Sequence, residues 1–189
     1  MTNSSEEILL IIDFGSQFTQ LIARRLRELN VYCEIYPFYR INIKLINLLR
    51  PLGIILSGGP ASVLDKGNPK IPSELYMANI PILGICYGQQ LMMDQLGGTV
   101  TKGRGSAEFG RAFVSRTKSD CAILKGLFQD KLEQVWMSHG DTVSSIPKSF
   151  NVYGITPKAP FAITGDPKKR LFAVQFHPEV YHTKNGVKL

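Results

Sequence analysis

Apolar and polar positions divide the first half of the chain into two kinds of segment that follow one another regularly. Short, continuous apolar runs are typical of strands buried on both faces of a sheet, and the segments between them repeat apolar residues at helical spacing. The predicted strands are residues 8–13, 31–36, 53–57 and 80–83, and the predicted helices are residues 19–29, 41–49, 72–78 and 89–96. This order predicts an α/β fold with a mostly parallel central sheet and helices on both faces.

The second half of the chain lacks helical spacing and contains short strand-like runs separated by glycine, proline, aspartate and lysine. These runs are residues 107–115, 134–137, 150–156, 161–164 and 171–176. We predict that they form a smaller antiparallel portion in the C-terminal half. The sequence shows no repeat, low-complexity tract or linker, so we expect residues 1–189 to form a single domain.

Cys86 stands between a predicted strand and a predicted helix, in the frame Gly84-Ile85-Cys86-Tyr87-Gly88. Glycines on both sides of such a turn leave room for the incoming helix and for a ligand. The N–H groups at the start of a helix carry partial positive charge, which stabilises a thiolate. Many free cysteines are small buried hydrophobic residues, so this frame by itself leaves a structural role open.

A second candidate motif, His177-Pro178-Glu179, directly follows the predicted strand at residues 171–176. A cysteine nucleophile needs a base, and that base needs a group that orients it. His177 and Glu179 supply both from one short segment. Such a tripeptide alone is typical of a surface turn, but in combination with the cysteine turn it predicts a catalytic triad of Cys86, His177 and Glu179.

These two motifs, together with three other strings, resemble the class I, triad-type glutamine amidotransferases. The additional strings are IDFGSQ at 12–17, ILSGGP at 55–60 and WMSHGD at 136–141. The resemblance covers essentially the whole chain, and the first and last strings are most similar to the amidotransferase domains of GMP synthetases. It implies that the chain hydrolyses glutamine to glutamate and ammonia through a cysteine thioester. The ammonia would pass to a synthetase domain that aminates XMP to GMP.

The resemblance also implies roles for residues around the triad. By analogy with other nucleophile turns, we expect the oxyanion hole to use the backbone N–H groups of Tyr87 and Gly59. Contacts to the substrate glutamine are expected from Gln90 and from the segment Met137, Ser138 and His139. His139 is also a second candidate for the base, ranked below His177 because no carboxylate follows it at the same spacing.

Composition excludes some partners and leaves others open. The net charge is +7, but the basic residues are spread along the chain, which favours a docking surface for another protein domain over nucleic-acid binding. No apolar run approaches the ~18–20 residues of a membrane span, so no membrane partner is expected. Three cysteines, one of them predicted to be reactive, indicate a reducing, cytoplasmic compartment. The scattered histidines and cysteines lack the paired spacing of metal ligands, and no metal site is predicted.

The resemblance further implies a longer polypeptide, from which this domain is excised. The absent parts would be an ATP pyrophosphatase (synthetase) domain and a dimerisation domain, with the synthetase in cis or as a separate subunit. The chain has no Ser-Gly-Gly-x-Asp loop, so ATP and Mg are expected only in the synthetase domain and no cofactor in this one. Three alternatives stay open: an amidotransferase domain serving another synthetase, a catalytically silent docking domain, and a generic cysteine hydrolase.

Overall fold

The computed structural model describes residues 7–103, 105, 107–117 and 120–189. The strands of this part of the chain are β1 (Leu9–Asp13), β2 (Cys33–Pro37), β3 (Gly53–Leu56), β4 (Ile82–Ile85), β5 (Thr99–Lys102), β6 (Glu108–Arg116), β7 (Leu132–His139), β8 (Asp141–Ser145), β9 (Asn151–Ile155), β10 (Ile163–Asp166) and β11 (Leu171–Val174). The α-helices are α1 (Thr19–Glu28), α2 (Ile43–Leu49) and α3 (Tyr87–Gln95), and short 3-10 helices cover Phe38–Arg40, Ser73–Met77, Ala122–Leu124 and Gly186–Lys188.

One large sheet contains nine of these strands, in the order β2-β1-β3-β4-β11-β10-β9-β6-β7. Strands β2, β1, β3, β4 and β11 run parallel to one another. From β11 onward each neighbouring pair is antiparallel. The strands β5 and β8 form a separate antiparallel pair. The α/β fold predicted from the sequence is therefore confirmed.

Helices cover both faces of the parallel part of the sheet, as predicted. Alternate residues of β1 point to opposite faces, as the pleat of a strand requires. Ile12 packs into a core with Ile46 of α2 and Leu91 of α3. Ile11 packs into a second core with Ile22 of α1. Both faces of β1 are thus buried, which explains why the strand is continuously apolar.

The structure differs from the sequence prediction in the second half of the chain. The run at 171–176 was predicted to be antiparallel, but β11 is antiparallel only to β10 and pairs in parallel with β4. β7 extends over Leu132–His139, beyond the predicted 134–137. β5 and β8 were not predicted, because most of their residues are polar and partly or fully exposed, so they lack a clear alternation of apolar residues. The predicted helix at 72–78 is a 3-10 helix.

In the described part of the chain, no helix combines the length and apolar character that crossing a bilayer requires.

Candidate active site

The parallel pairing of β4 with β11 brings two of the predicted motifs together. Ile85 and Val174, the last residues of the two strands, are partners in the register. Because the strands are parallel, the segments that follow them emerge at the same edge of the sheet, where open α/β sheets bind ligands. Cys86 comes directly after β4, and His177 lies three residues beyond the end of β11.

Cys86 occupies a tight turn that only its glycine neighbours permit. Its φ is +52° and its ψ is −104°, a conformation that costs free energy in a residue with a side chain and is found mainly at functional sites. A Cβ atom on Gly84 would lie 2.7 Å from the carbonyl oxygen of Gly88. A Cβ atom on Gly88 would collide with the backbone of Leu56. Both glycines are therefore required by close backbone contacts, and Cys86 is held at the start of α3.

The side chains of Cys86, His177 and Glu179 meet at this edge. The His177 Nδ1 atom is 2.8 Å from Glu179 Oε1, and His177 and Cys86 line the same cleft, where they interact electrostatically. None of the three residues is more than 5% exposed. The Cys86 thiol also donates to the Ser138 carbonyl, at 3.5 Å. The structure thus assembles the arrangement of nucleophile, base and orienting carboxylate that acyl transfer needs.

Contacts with Cys86 and Glu179 make the imidazole of His177 a stronger base than a free imidazole. Burial opposes the charge on His177, but hydrogen bonds and charge interactions with Cys86 and Glu179 outweigh burial and raise the pKa of His177 above its usual value. A protonated imidazole beside the sulfur can donate a proton to a leaving group.

The main chain of His177 is fixed by contacts that no sequence pattern anticipates. Its N–H donates to the Trp136 carbonyl at 3.0 Å, and its carbonyl accepts from the Thr183 hydroxyl at 2.6 Å. The same hydroxyl accepts from the Trp136 N–H, at 3.0 Å. Thr183 is only 4% exposed. It therefore links the motif at 177–179 to strand β7, although nothing in the surrounding sequence marks it.

A cleft of about 570 Å³ opens in front of Cys86. One wall is the loop that follows β3, and another is the turn between β7 and β8. Five of the residues predicted to surround the triad lie in its lining: Gly59, Tyr87, Gln90, Ser138 and His139. Met137 is fully buried in the second core instead and is not among the residues that line the cleft. Within the described ranges, no three His, Cys, Asp or Glu side chains gather as metal ligands do.

Gln90 and His139 both hold the turn between β7 and β8. Gln90 Nε2 donates to the Asp141 carbonyl at 2.9 Å and to Gln175 Oε1 at 3.3 Å. His139 Nδ1 lies 2.9 Å from the same carbonyl, to which it donates as a neutral ring. Burial is the main cause that lowers the pKa of His139, despite the nearby Glu108. His139 is therefore neutral and engaged in the turn, whereas His177 interacts with Cys86.

The side chain of Asp141 makes a further contact across the cleft. Its Oδ2 atom accepts a short hydrogen bond from the Ser62 hydroxyl, which joins the loop after β3 to the turn between β7 and β8. Among the described residues that line the cleft, Asp141 is the one carboxylate. No sequence pattern marks Ser62, because a serine beside a Gly-Gly-Pro turn carries no specific signal.

Comparisons with known proteins agree with this geometry. The family model for "Glutamine amidotransferase class-I" matches residues 10–189. A GMP synthase [glutamine-hydrolyzing] from Ruegeria sp. (strain TM1040) is 59% identical over 186 residues, which are 98% of this chain and 36% of that protein. The corresponding protein of Bartonella henselae is 50% identical over 190 residues, again 36% of its length. The chain thus spans about a third of the length of the curated relatives it matches.

A solved structure from Thermoplasma acidophilum, described as that of a candidate GMP synthase subunit, is similar with a TM-score of 0.77 and 31% identity. The match covers 96% of this chain and 88% of that one. The family model and the triad geometry lead to one conclusion: the chain belongs to the class I glutamine amidotransferases.

Proposed function

We propose that this chain is the glutamine-hydrolysing domain of a GMP synthase and supplies ammonia to a synthetase domain. The observation that carries the proposal is that Cys86 and His177 line one cleft, with the His177 ring held by Glu179 at 2.8 Å. The identity of 59% to a GMP synthase over nearly the whole chain favours this synthetase over those of other amidotransferases.

The first half of the reaction forms a thioester. The Cys86 sulfur attacks the side-chain amide carbon of glutamine, and its proton passes to His177. The oxygen of the resulting tetrahedral intermediate carries negative charge. The backbone N–H groups of Tyr87 and Gly59, both in the cleft lining, are the proposed donors to it. His177 then gives its proton to the amide nitrogen, the C–N bond breaks and ammonia leaves.

The second half hydrolyses the thioester. A water molecule attacks the carbonyl carbon while His177 takes a proton from it. The C–S bond breaks, glutamate is released, and the proton returns to the sulfur. Glu179 keeps the imidazole in one orientation and stabilises its charged form in both halves.

The cleft also accounts for recognition of an amino acid. Free glutamine carries an α-ammonium group, and Asp141 is the carboxylate in the described lining of the cleft. We assign the ammonium to this carboxylate. We assign the other substrate contacts to Gln90 and to the backbone of the segment Met137, Ser138 and His139, of which Ser138 and His139 line the cleft.

The proposed partner is an ATP pyrophosphatase domain that uses ATP and Mg to activate XMP. In the full protein it would lie in cis or on a separate subunit, together with a dimerisation domain. The length of the relatives, of which the chain spans 36%, supports a partner of this kind. We place the reaction in the cytoplasm, where the thiol stays reduced.

Labelling with a diazo-ketone analogue of glutamine tests the glutaminase assignment. We expect an adduct on Cys86 that added glutamine prevents, and no adduct in a Cys86→Ala variant. Cys33 and Cys121 are internal controls, because Cys33 is buried and burial raises the pKa of Cys121. Labelling that ignores glutamine, or that occurs on another cysteine, would refute the assignment. Formation of GMP from XMP and glutamine after addition of a relative's synthetase domain tests the partner.

A further inference from the structure

We propose that Ser62 is a positioning residue for substrate recognition: its hydroxyl holds the Asp141 carboxylate in the orientation that receives the α-ammonium group of glutamine. This inference rests on the proposed function, because it concerns how that substrate is bound. It assigns a role to a residue that lies outside the motifs at Cys86, His177 and 136–141.

The hydrogen bond between Ser62 and Asp141 spans two walls of the cleft. Ser62 belongs to the loop after β3, which also contains Gly59, and Asp141 begins β8. The two residues are 79 positions apart in the sequence. The contact therefore joins two segments that are far apart in the chain and places a hydroxyl of one wall on the carboxylate of the other.

The Ser62 hydroxyl is itself oriented by the loop. Its oxygen accepts from the Leu64 N–H at 3.1 Å, so its proton is left to point at Asp141 Oδ2. A hydroxyl that accepts a local N–H while it donates to a carboxylate has little rotational freedom. The loop therefore presents a preset donor to the carboxylate.

The main chain of Asp141 is anchored independently of this bond. Its carbonyl accepts from Gln90 Nε2 and from His139 Nδ1, each at 2.9 Å. Removal of the Ser62 hydroxyl should consequently leave the turn in place and free only the carboxylate. Asp141 is partly exposed, so a freed carboxylate can rotate toward water, and binding of the ammonium group would then include the entropy cost of ordering it again.

Two reagents that react with the same sulfur separate recognition from nucleophile reactivity. A diazo-ketone analogue of glutamine carries the α-ammonium and α-carboxylate groups, whereas iodoacetamide carries neither. In the first reaction the Cys86 sulfur bonds to the diazo-bearing carbon, that carbon takes up a proton, and N₂ leaves. In the second the sulfur displaces iodide. Second-order rate constants for both are measured on the whole chain, with and without glutamine, in wild type and variants.

For Ser62→Ala we expect the diazo-ketone rate constant to fall about tenfold, the scale of one hydrogen bond to a charged group. The loss should appear as a higher diazo-ketone concentration at half-maximal rate. The iodoacetamide rate constant should stay within about twofold of wild type. Ser62→Thr, which keeps the hydroxyl, should restore the diazo-ketone rate.

The double variant of Ser62→Ala with Asp141→Asn should lose no more of the diazo-ketone rate than Asp141→Asn alone, because the two changes remove the same interaction. Ser144→Ala, an exposed serine on β8, is the matched control.

The other outcomes overturn the inference in different ways. Unchanged rate constants for both reagents would show that the hydroxyl does not matter, and an equal loss for both would show that Ser62 acts on the nucleophile or on folding. Full additivity in the double variant would show that Ser62 does not act through Asp141. A wild-type chain whose labelling glutamine does not prevent would refute the proposed function first, and this inference with it.

Discussion

Replacement of Thr183 by valine tests whether one buried hydroxyl holds His177 in place. Valine keeps the shape of threonine but can neither donate to the His177 carbonyl nor accept from the Trp136 N–H, contacts of 2.6 and 3.0 Å. A buried polar group left without a partner costs about 1–3 kcal/mol. Two such groups predict that the free energy of unfolding falls by about 2 kcal/mol or more, and that Cys86 reacts more slowly with a glutamine analogue because His177 is displaced.

Thr183→Ser is the matched control, since it keeps the hydroxyl and loses one methyl group, worth about 0.8 kcal/mol. Urea denaturation followed by fluorescence is a direct assay, because Trp136 is the single tryptophan of the chain and belongs to this hydrogen-bonded group. A valine variant whose free energy of unfolding matches that of the serine variant would refute the reasoning. So would a valine variant whose labelling of Cys86 is as fast as that of wild type.

Two further substitutions test the electrostatics and the turn. In Glu179→Gln we expect the pKa of His177 to fall, because a charge that helps to outweigh burial is lost. The alkaline limb of the rate–pH profile for glutamine hydrolysis should then move to lower pH. Glu74→Gln, at an exposed position, is the control, and a Glu179→Gln profile that matches the control profile would contradict this expectation. In Gly88→Ala the new methyl would collide with the Leu56 backbone, so we expect a loss of about 1–3 kcal/mol in stability and slower labelling of Cys86. Gly53→Ala, where an added Cβ makes ordinary contacts, is the control. Equal stability and equal labelling rates in the two variants would disprove the close-contact argument.

The predictions that the structure confirmed concern residues whose conformation depends on their sequence neighbours or on a repeated apolar pattern. The apolar run before Asp13 indicated a strand buried on both faces, and β1 is such a strand. The glycine frame of Cys86 indicated a sharp turn before a helix, and the positive φ of Cys86 confirms that turn. Where most side chains are polar, as in β5 and β8, the pattern carried no signal, and the pairing came from contacts between distant segments.

The sequence alone determined the kinds of element in the first half of the chain and the turn at Cys86, and it predicted His177 and Glu179 as candidate partners of the cysteine. These features depend on residue type and short spacing. Only the tertiary structure decided that β11 lies beside β4, in the register that brings the segment with His177 to the same edge of the sheet as Cys86. It also decided that Thr183 braces His177 and that Ser62 reaches Asp141. Such contacts join residues far apart in the chain, and their partners are fixed by how the whole sheet packs, which no local pattern encodes.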